Sequence, residues 1–370
     1  MTNNPIPELT HWTQKLTSMA AGPLEFCPDF ACIAQRFEAW WAQALVDRPI
    51  FIGAANMRPE RPIDRRLDLL ERPQAWFDAK YADMLQTRRA GDALPYIRAD
   101  FGPVLLGGML GGRIEFGADT TWTHAFIDDE WSNAPDWSLR DDNHWWRLLQ
   151  QLAELVASDA AGRYLLCTPD FGGSGDVLLN LRGSAQLCLD VLEQPQHITS
   201  SVDAIYPAWR TAYSRLYEIA LRHGAGLIHW LGLWSNQPYM IPACDFNFMI
   251  GPREFEAVCL PDIARQAATV GRAVFHLDGP GAARHIDALL ELPELHAIQF
   301  TPGAGTPSAL AWVEMFRKIQ QRGKSLRVFC PADEVLRLRD QLRPEGLAVF
   351  TDARTPLELN QLFTQFGARS

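Results

Sequence analysis

From Pro95 onward, short apolar runs of strand character alternate with segments of helical spacing, and each run closes on polar or glycine-rich residues. Seven runs follow this pattern: Tyr96–Asp100, Tyr164–Thr168, Leu227–Leu231, Ala273–Asp278, Ala297–Phe300, Leu326–Cys330 and Leu347–Thr351. An eighth is either Tyr239–Cys244 or an earlier run at Ile50. The helical segments between the later runs are 255–270, 283–292, 309–322, 333–342 and 356–366. Few folds accommodate this rhythm, because parallel strands need a crossover of helical length between them. No GxGxxG follows a strand, which disfavours a doubly wound dinucleotide fold. The expectation is an α/β protein, a (β/α)8 TIM barrel over 95–370, with residues 1–94 a helical extension packed on it as part of one structural unit. In that extension Phe30–Leu45 and Pro73–Arg89 have helical spacing, and 57–66 is a polar loop carrying Arg58, Arg61, Arg65 and Arg66.

In such a barrel the chemistry sits at the C-terminal ends of the strands, so the residues that close each run are candidates. Ala273-Val-Phe-His-Leu-Asp-Gly-Pro-Gly281 is the richest stretch. Strand alternation puts His276 and Asp278 on one face, where they can bind a metal, share a proton or grip a polar ligand. A buried histidine with a structural aspartate partner has the same pattern. Other runs close on Asp100, Asp245 and Asp352, on Asp170 with Arg182 beyond it, on Gln299, and on Trp234 with Asn236. Each alone is explained as a turn former or helix cap, but several carboxylates converging on one mouth are not. The glycine-rich joints 170–176 and 302–307 let backbone N–H groups approach an anion, although neither is followed by the Gly-Lys-Ser/Thr of a phosphate-binding loop.

Composition excludes some partners. With 44 acidic and 34 basic residues and a formal charge of −10, the chain carries no basic surface for nucleic acid. No apolar run reaches the length of a membrane span and the first residues lack a signal-peptide pattern, so a soluble, cytoplasmic protein is expected. Its seven scattered cysteines read as reduced thiols. The 13 tryptophans supply mainly buried area, with a few available to wall a pocket.

Several stretches together resemble the uroporphyrinogen decarboxylase superfamily, on the branch related to corrinoid-protein methyltransferases. They are Asp100-Phe-Gly-Pro103, Asp170-Phe-Gly-Gly173 through Leu181-Arg-Gly183, Cys244-Asp-Phe246 with Pro252, Leu260-Pro-Asp262, Phe275–Gly281 and Ile298–Gly303. The resemblance runs from about Glu38 to the C-terminal helix and implies a barrel with its cleft at the C-terminal face. It implies one of two chemistries: cofactor-free decarboxylation of an acidic tetrapyrrole, or zinc-dependent methyl transfer through a corrinoid on a partner protein. It also implies a homodimer.

The chain departs from both patterns. The Arg-Gln-Ala-Gly-Arg-Tyr segment of the decarboxylases is absent. His276 matches the methyltransferases' zinc histidine, but Asp278 stands where their first zinc cysteine is expected, and Asp352 falls at the late cysteine position. A His276/Asp278/Asp352 set is harder than His/Cys/Cys and suits zinc with an activated water, manganese or iron. Cys244 is either a replacement ligand or an inert thiol, and the inert reading is preferred. The favoured expectation is a methyltransferase or demethylase of a small methylated substrate. Asp100, Asp245, His276 and Asp278 are its candidate catalytic residues, and Asp170, Arg182, Trp234 and Gln299 its candidate substrate contacts. The alternatives are a lyase or decarboxylase of a carboxylated substrate, with Asp100 or Asp245 handling the proton, and a non-catalytic barrel that binds a small molecule.

Overall fold

The computed structural model describes residues 6, 8–56, 70–103, 105–117, 120–127, 131–303, 306 and 308–367. The arginine loop 57–66 and part of the 302–307 joint lie outside the described residues.

The strands are β1 Ile50–Asn56, β2 Thr87–Gly91, β3 Tyr96–Arg98, β4 Arg113–Phe116, β5 Thr121–His124, β6 Leu165–Cys167, β7 Gly226–Ile228, β8 Tyr239–Met240, β9 Arg272–Asp278, β10 Ala297–Thr301, β11 Ser325–Phe329 and β12 Leu347–Asp352. Seven form one sheet in the order β2-β1-β12-β11-β10-β9-β8, parallel except for β2. A second parallel sheet runs β3-β6-β7, and β4-β5 is a separate antiparallel hairpin that the alternating rhythm did not reveal. The inner strands are apolar nearly throughout, as strands covered on both faces must be.

The fold is therefore α/β with a mainly parallel sheet, but backbone pairing runs in two arcs and not in one closed ring among the described residues. β2 shows why. It pairs antiparallel with β1 along the edge that β12 leaves open, so β1 has no free edge for β3. The helix expected over 73–89 ends at Gln86, and the chain continues directly as β2. Both candidates for the eighth run, the one at Ile50 and the one at Tyr239, are strands of the main sheet. Residues 1–94 thus supply sheet as well as helix.

The helix Phe30–Trp41 shows how the site end of the sheet is left open. Its buried face presents Phe30, Ile33, Phe37, Trp40 and Trp41 at helical spacing. Trp40 Nε1 donates to the Leu326 carbonyl at 3.2 Å, and Glu38 takes a bidentate pair from Arg272 at 2.7 and 2.8 Å. Leu326 and Arg272 lie at the beginnings of β11 and β9. The helix therefore covers the N-terminal ends of these strands, and His276 and Asp278 lie toward the opposite ends. No helix among the described residues is long and apolar enough to cross a membrane.

Candidate metal centre

Strand alternation along β9 buries Phe275 and Leu277 while leaving His276 and Asp278 partly accessible on the other face. In parallel pairing, His276 lies opposite Gln299 of β10, and Gln299 lies opposite Arg327 of β11. Paired residues of neighbouring strands project to the same face, so these three side chains form one row. The His276 ring nitrogen Nδ1 is hydrogen-bonded to Gln299 Oε1. An amide oxygen only accepts, so Nδ1 carries a proton, and in the neutral ring Nε2 is the nitrogen with the lone pair. Gln299 Nε2 donates in turn to Thr301 Oγ1 at 2.8 Å, which holds the amide in that orientation. Trp230 meets the imidazole edge to face, with centroids 4.9 Å apart.

The free Nε2 faces Asp245, whose Oδ1 is 3.9 Å away. Asp245 arrives from β8. Beyond that strand the chain continues beside β9, with His276 N–H donating to the Pro242 carbonyl at 3.0 Å and Ala243 bridging to His276, and then turns at Asp245–Met249. One donor atom from each of Asp245, His276 and Asp278 lies within 4.8 Å of the others. Asp278 Oδ1 is buried and has no hydrogen-bond partner among the described residues. Gly303, at φ +82°, passes close to it, and a Cβ there would lie 3.8 Å from this oxygen. A buried carboxylate oxygen left unpaired beside an imidazole nitrogen and a second carboxylate is a donor set of the type that suits a divalent cation.

Two further carboxylates border the trio. Asp170 Oδ1 accepts from the Gly172 N–H at 2.8 Å; burial raises its pKa, and nearby His276 opposes the rise. Asp176 accepts from Gly173 N–H at 2.9 Å and Phe246 N–H at 3.0 Å, and burial followed by repulsion from Asp245 holds its pKa well above the usual carboxylate range. Asp176 thereby ties the 170–176 joint to the turn that delivers Asp245. Gly173 is required there, since any Cβ would run into the Ala243 carbonyl. Asp245 is itself raised, first by burial and then by Asp170 and Asp278, with His276 lowering it. Its side chain nevertheless remains 48% accessible, so it sits deep in the mouth and still faces solvent.

The remaining candidates are placed elsewhere. Asp352 lies on β12, separated from β9 by β10 and β11, and pairs with Ala54 two residues beyond Phe350. Three strand spacings are roughly 14 Å, and Asp352 is not among the three clustered donors. Asp100 pairs with Arg98 at 2.9 Å. Arg182 is buried in a bidentate pair with Asp190 at 2.6 and 3.2 Å, its guanidinium 4.8 Å from the Trp131 ring centre. Trp234 is in the core, edge-on to Phe30 and bonded through Nε1 to Asn236 at 2.7 Å. Cys244 is buried beside Cys259, and their thiol contact is the first cause of its strongly raised pKa, which suits an inert thiol.

A cavity of about 580 Å³ adjoins this row. Strands of both sheets wall it, through Ile52, Tyr96, Gln299 and Phe350 among others. Trp230, Arg98 and Arg327 also line it, and the polar ends of the runs did not single these out. The one signal for Arg327 was a charged residue inside the otherwise apolar run Leu326-Arg-Val-Phe329.

No protein-family model matches the chain, and no curated protein matches it. Among the solved structures that it resembles is a methyltransferase from Methanosarcina mazei, with a TM-score of 0.59 and 11% sequence identity over 90% of this chain and 98% of that chain. At that identity the likeness is one of fold, and it extends over nearly the whole of both chains.

Proposed function

We propose that the chain is a metal-dependent methyltransferase or demethylase on a (β/α)8-like scaffold of the uroporphyrinogen decarboxylase-like kind. In this reading it moves a methyl group between a small methylated substrate and a corrinoid carried by a partner protein. The observation that carries the reading is the clustering of Asp245, His276 and Asp278 with one carboxylate oxygen unpaired. Likeness in fold to a protein named as a methyltransferase supports the reaction class. The two sheets are taken as arcs of one barrel because strands from both wall a single cavity.

The residues fit a divalent ion, with His276 Nε2 and one oxygen each from Asp245 and Asp278 as its holders. Zinc, manganese and iron all suit two carboxylates and an imidazole. When bound, such an ion supplies Lewis-acid activation of a substrate oxygen, thiol or water. The protein's own groups do the rest. Gln299 fixes the imidazole tautomer and orientation, as partners behind a ligand histidine commonly do. Trp230 shields the imidazole face from water. Asp170, its pKa raised by burial, holds a proton closer to neutrality than an ordinary aspartate and in this reading is the group that exchanges it with the acceptor.

The raised Asp170 also favours a second reading, acid–base chemistry on a carboxylated substrate without methyl transfer. The test is a methyl-transfer assay with zinc-loaded protein, methylcobalamin and a panel of thiol and hydroxyl acceptors, followed by the cobalamin spectrum. Loss of the methyl-cobalamin band, dependent on His276, is expected. No turnover with any acceptor by protein shown to hold one metal ion would remove the methyl-transfer reading.

A further inference from the structure

The cavity beside the metal centre carries an excess of positive charge. Arg89 of β2, Arg98 of β3 and Arg327 of β11 all line it, and Lys80 and Asp83, which also line it, offset each other in formal charge. Asp100 pairs with Arg98. Arg89 donates to the Met84 and Thr87 carbonyls at 3.0 and 3.1 Å and has no carboxylate partner among the described residues. Arg327 stands out most. It is only 6% exposed, and among the described residues its Nε has no hydrogen-bond partner and no carboxylate comes within ion-pair distance. Its guanidinium lies 4.8 Å from the Phe350 ring centre, and burial depresses its pKa to about 10 against the opposing influence of Tyr96, Tyr239 and Asp352.

A guanidinium removed from water without an anion is costly, and the cost is recovered when a bound oxyanion completes it. The planar fork of arginine matches carboxylate, sulfonate and phosphate oxygens in pairs. Arg327 is two strand spacings from His276, about 10 Å between backbones, and Gln299 stands between them. We propose that this cavity binds the oxyanion head group of the substrate on Arg327, with Arg98 beside it, and directs the opposite end of a short molecule to the His276 row. That the anion belongs to the substrate rests on the metal-centre reading; the anion site itself stands on the arginines.

Calorimetric titration with acetate, methanesulfonate and phosphate tests the site. One of the three binds the wild type, which identifies the oxyanion, and the volume-matched Arg327→Met weakens that binding tenfold or more. His276→Ala keeps the binding while losing metal, so failure of the metal centre is distinguishable from failure of the anion site. Should Arg327→Met not fold, labelling of wild-type arginines with phenylglyoxal needs no variant: the bound anion protects Arg327, read by peptide mass. Absence of binding by all three anions, equal binding in Arg327→Met, or labelling of Arg327 unaffected by every anion overturns the proposal.

Discussion

His276 and Arg327 stand in one row of the parallel sheet, two strands apart, with Gln299 paired to both. One end of the row offers an imidazole lone pair flanked by carboxylates, and the other a buried guanidinium. A cation-seeking and an anion-seeking group are thus held at fixed separation by backbone pairing, which changes little when a ligand arrives. Rigid strands are the better place for such a constellation, because a loop would have to be ordered at each binding event.

Gln299 is the hinge of this arrangement. Gln299→Leu removes the acceptor on Nδ1 and frees the ring to rotate or change tautomer. Metal affinity is expected to fall by roughly 10- to 100-fold while the fold persists, measured by competition with a chromophoric chelator. Unchanged affinity would mean that the Gln299 contact does not orient the imidazole.

Arg182 is buried against Asp190, with no exposed surface on its side chain. Arg182→Met leaves Asp190 buried without its cation, and a loss of about 3 to 5 kcal/mol in urea unfolding is expected. Ligand affinity of the protein that remains folded should not change. A variant of normal stability with weakened substrate binding would instead make Arg182 a substrate contact.

His229 gives the chain an acid-sensitive element. It is fully buried, bonded to Thr168 Oγ1 at 2.8 Å and to the Tyr239 carbonyl at 2.6 Å, and burial lowers its pKa to about 3. Its unfolded value is about 6.5, so between these limits the unfolded chain binds a proton that the folded chain does not. Stability is therefore full above about pH 6.5 and falls as the pH drops toward 3. In His229→Gln the slope of unfolding free energy between pH 6 and pH 4 should be shallower than in the wild type. An identical slope would assign the acid sensitivity to the carboxylates alone.

Much of this architecture was legible from the residues. Alternation put His276 and Asp278 on one face, the run order gave the parallel strands, and Asp245 was marked as a run-closing carboxylate. The sequence grouped Asp352 with His276 and Asp278, whereas the fold gathers Asp245 beside them, because spacing along the chain carries no information on register. What brings Asp245 to His276 is the Ala243 bridge, a contact between residues 33 positions apart that only the folded sheet displays. Arg327 was hidden for a related reason: an arginine in an apolar strand looks like an edge residue until its row partners are known. Trp234 and Trp230 differ by one turn of irregular chain after β7. That turn sends Trp234 into the core beneath Phe30 and Trp230 into the cavity.

Metal content is the most direct measure of the centre. Protein purified without chelator and equilibrated with zinc, then analysed by plasma mass spectrometry, should hold one ion per chain. His276→Ala and Asp278→Asn should lose it, Asp245→Asn should bind it more weakly, and Asp352→Asn should retain it. A wild type that takes up no divalent ion, or an ion that survives His276→Ala and disappears in Asp352→Asn, contradicts the Asp245/His276/Asp278 centre.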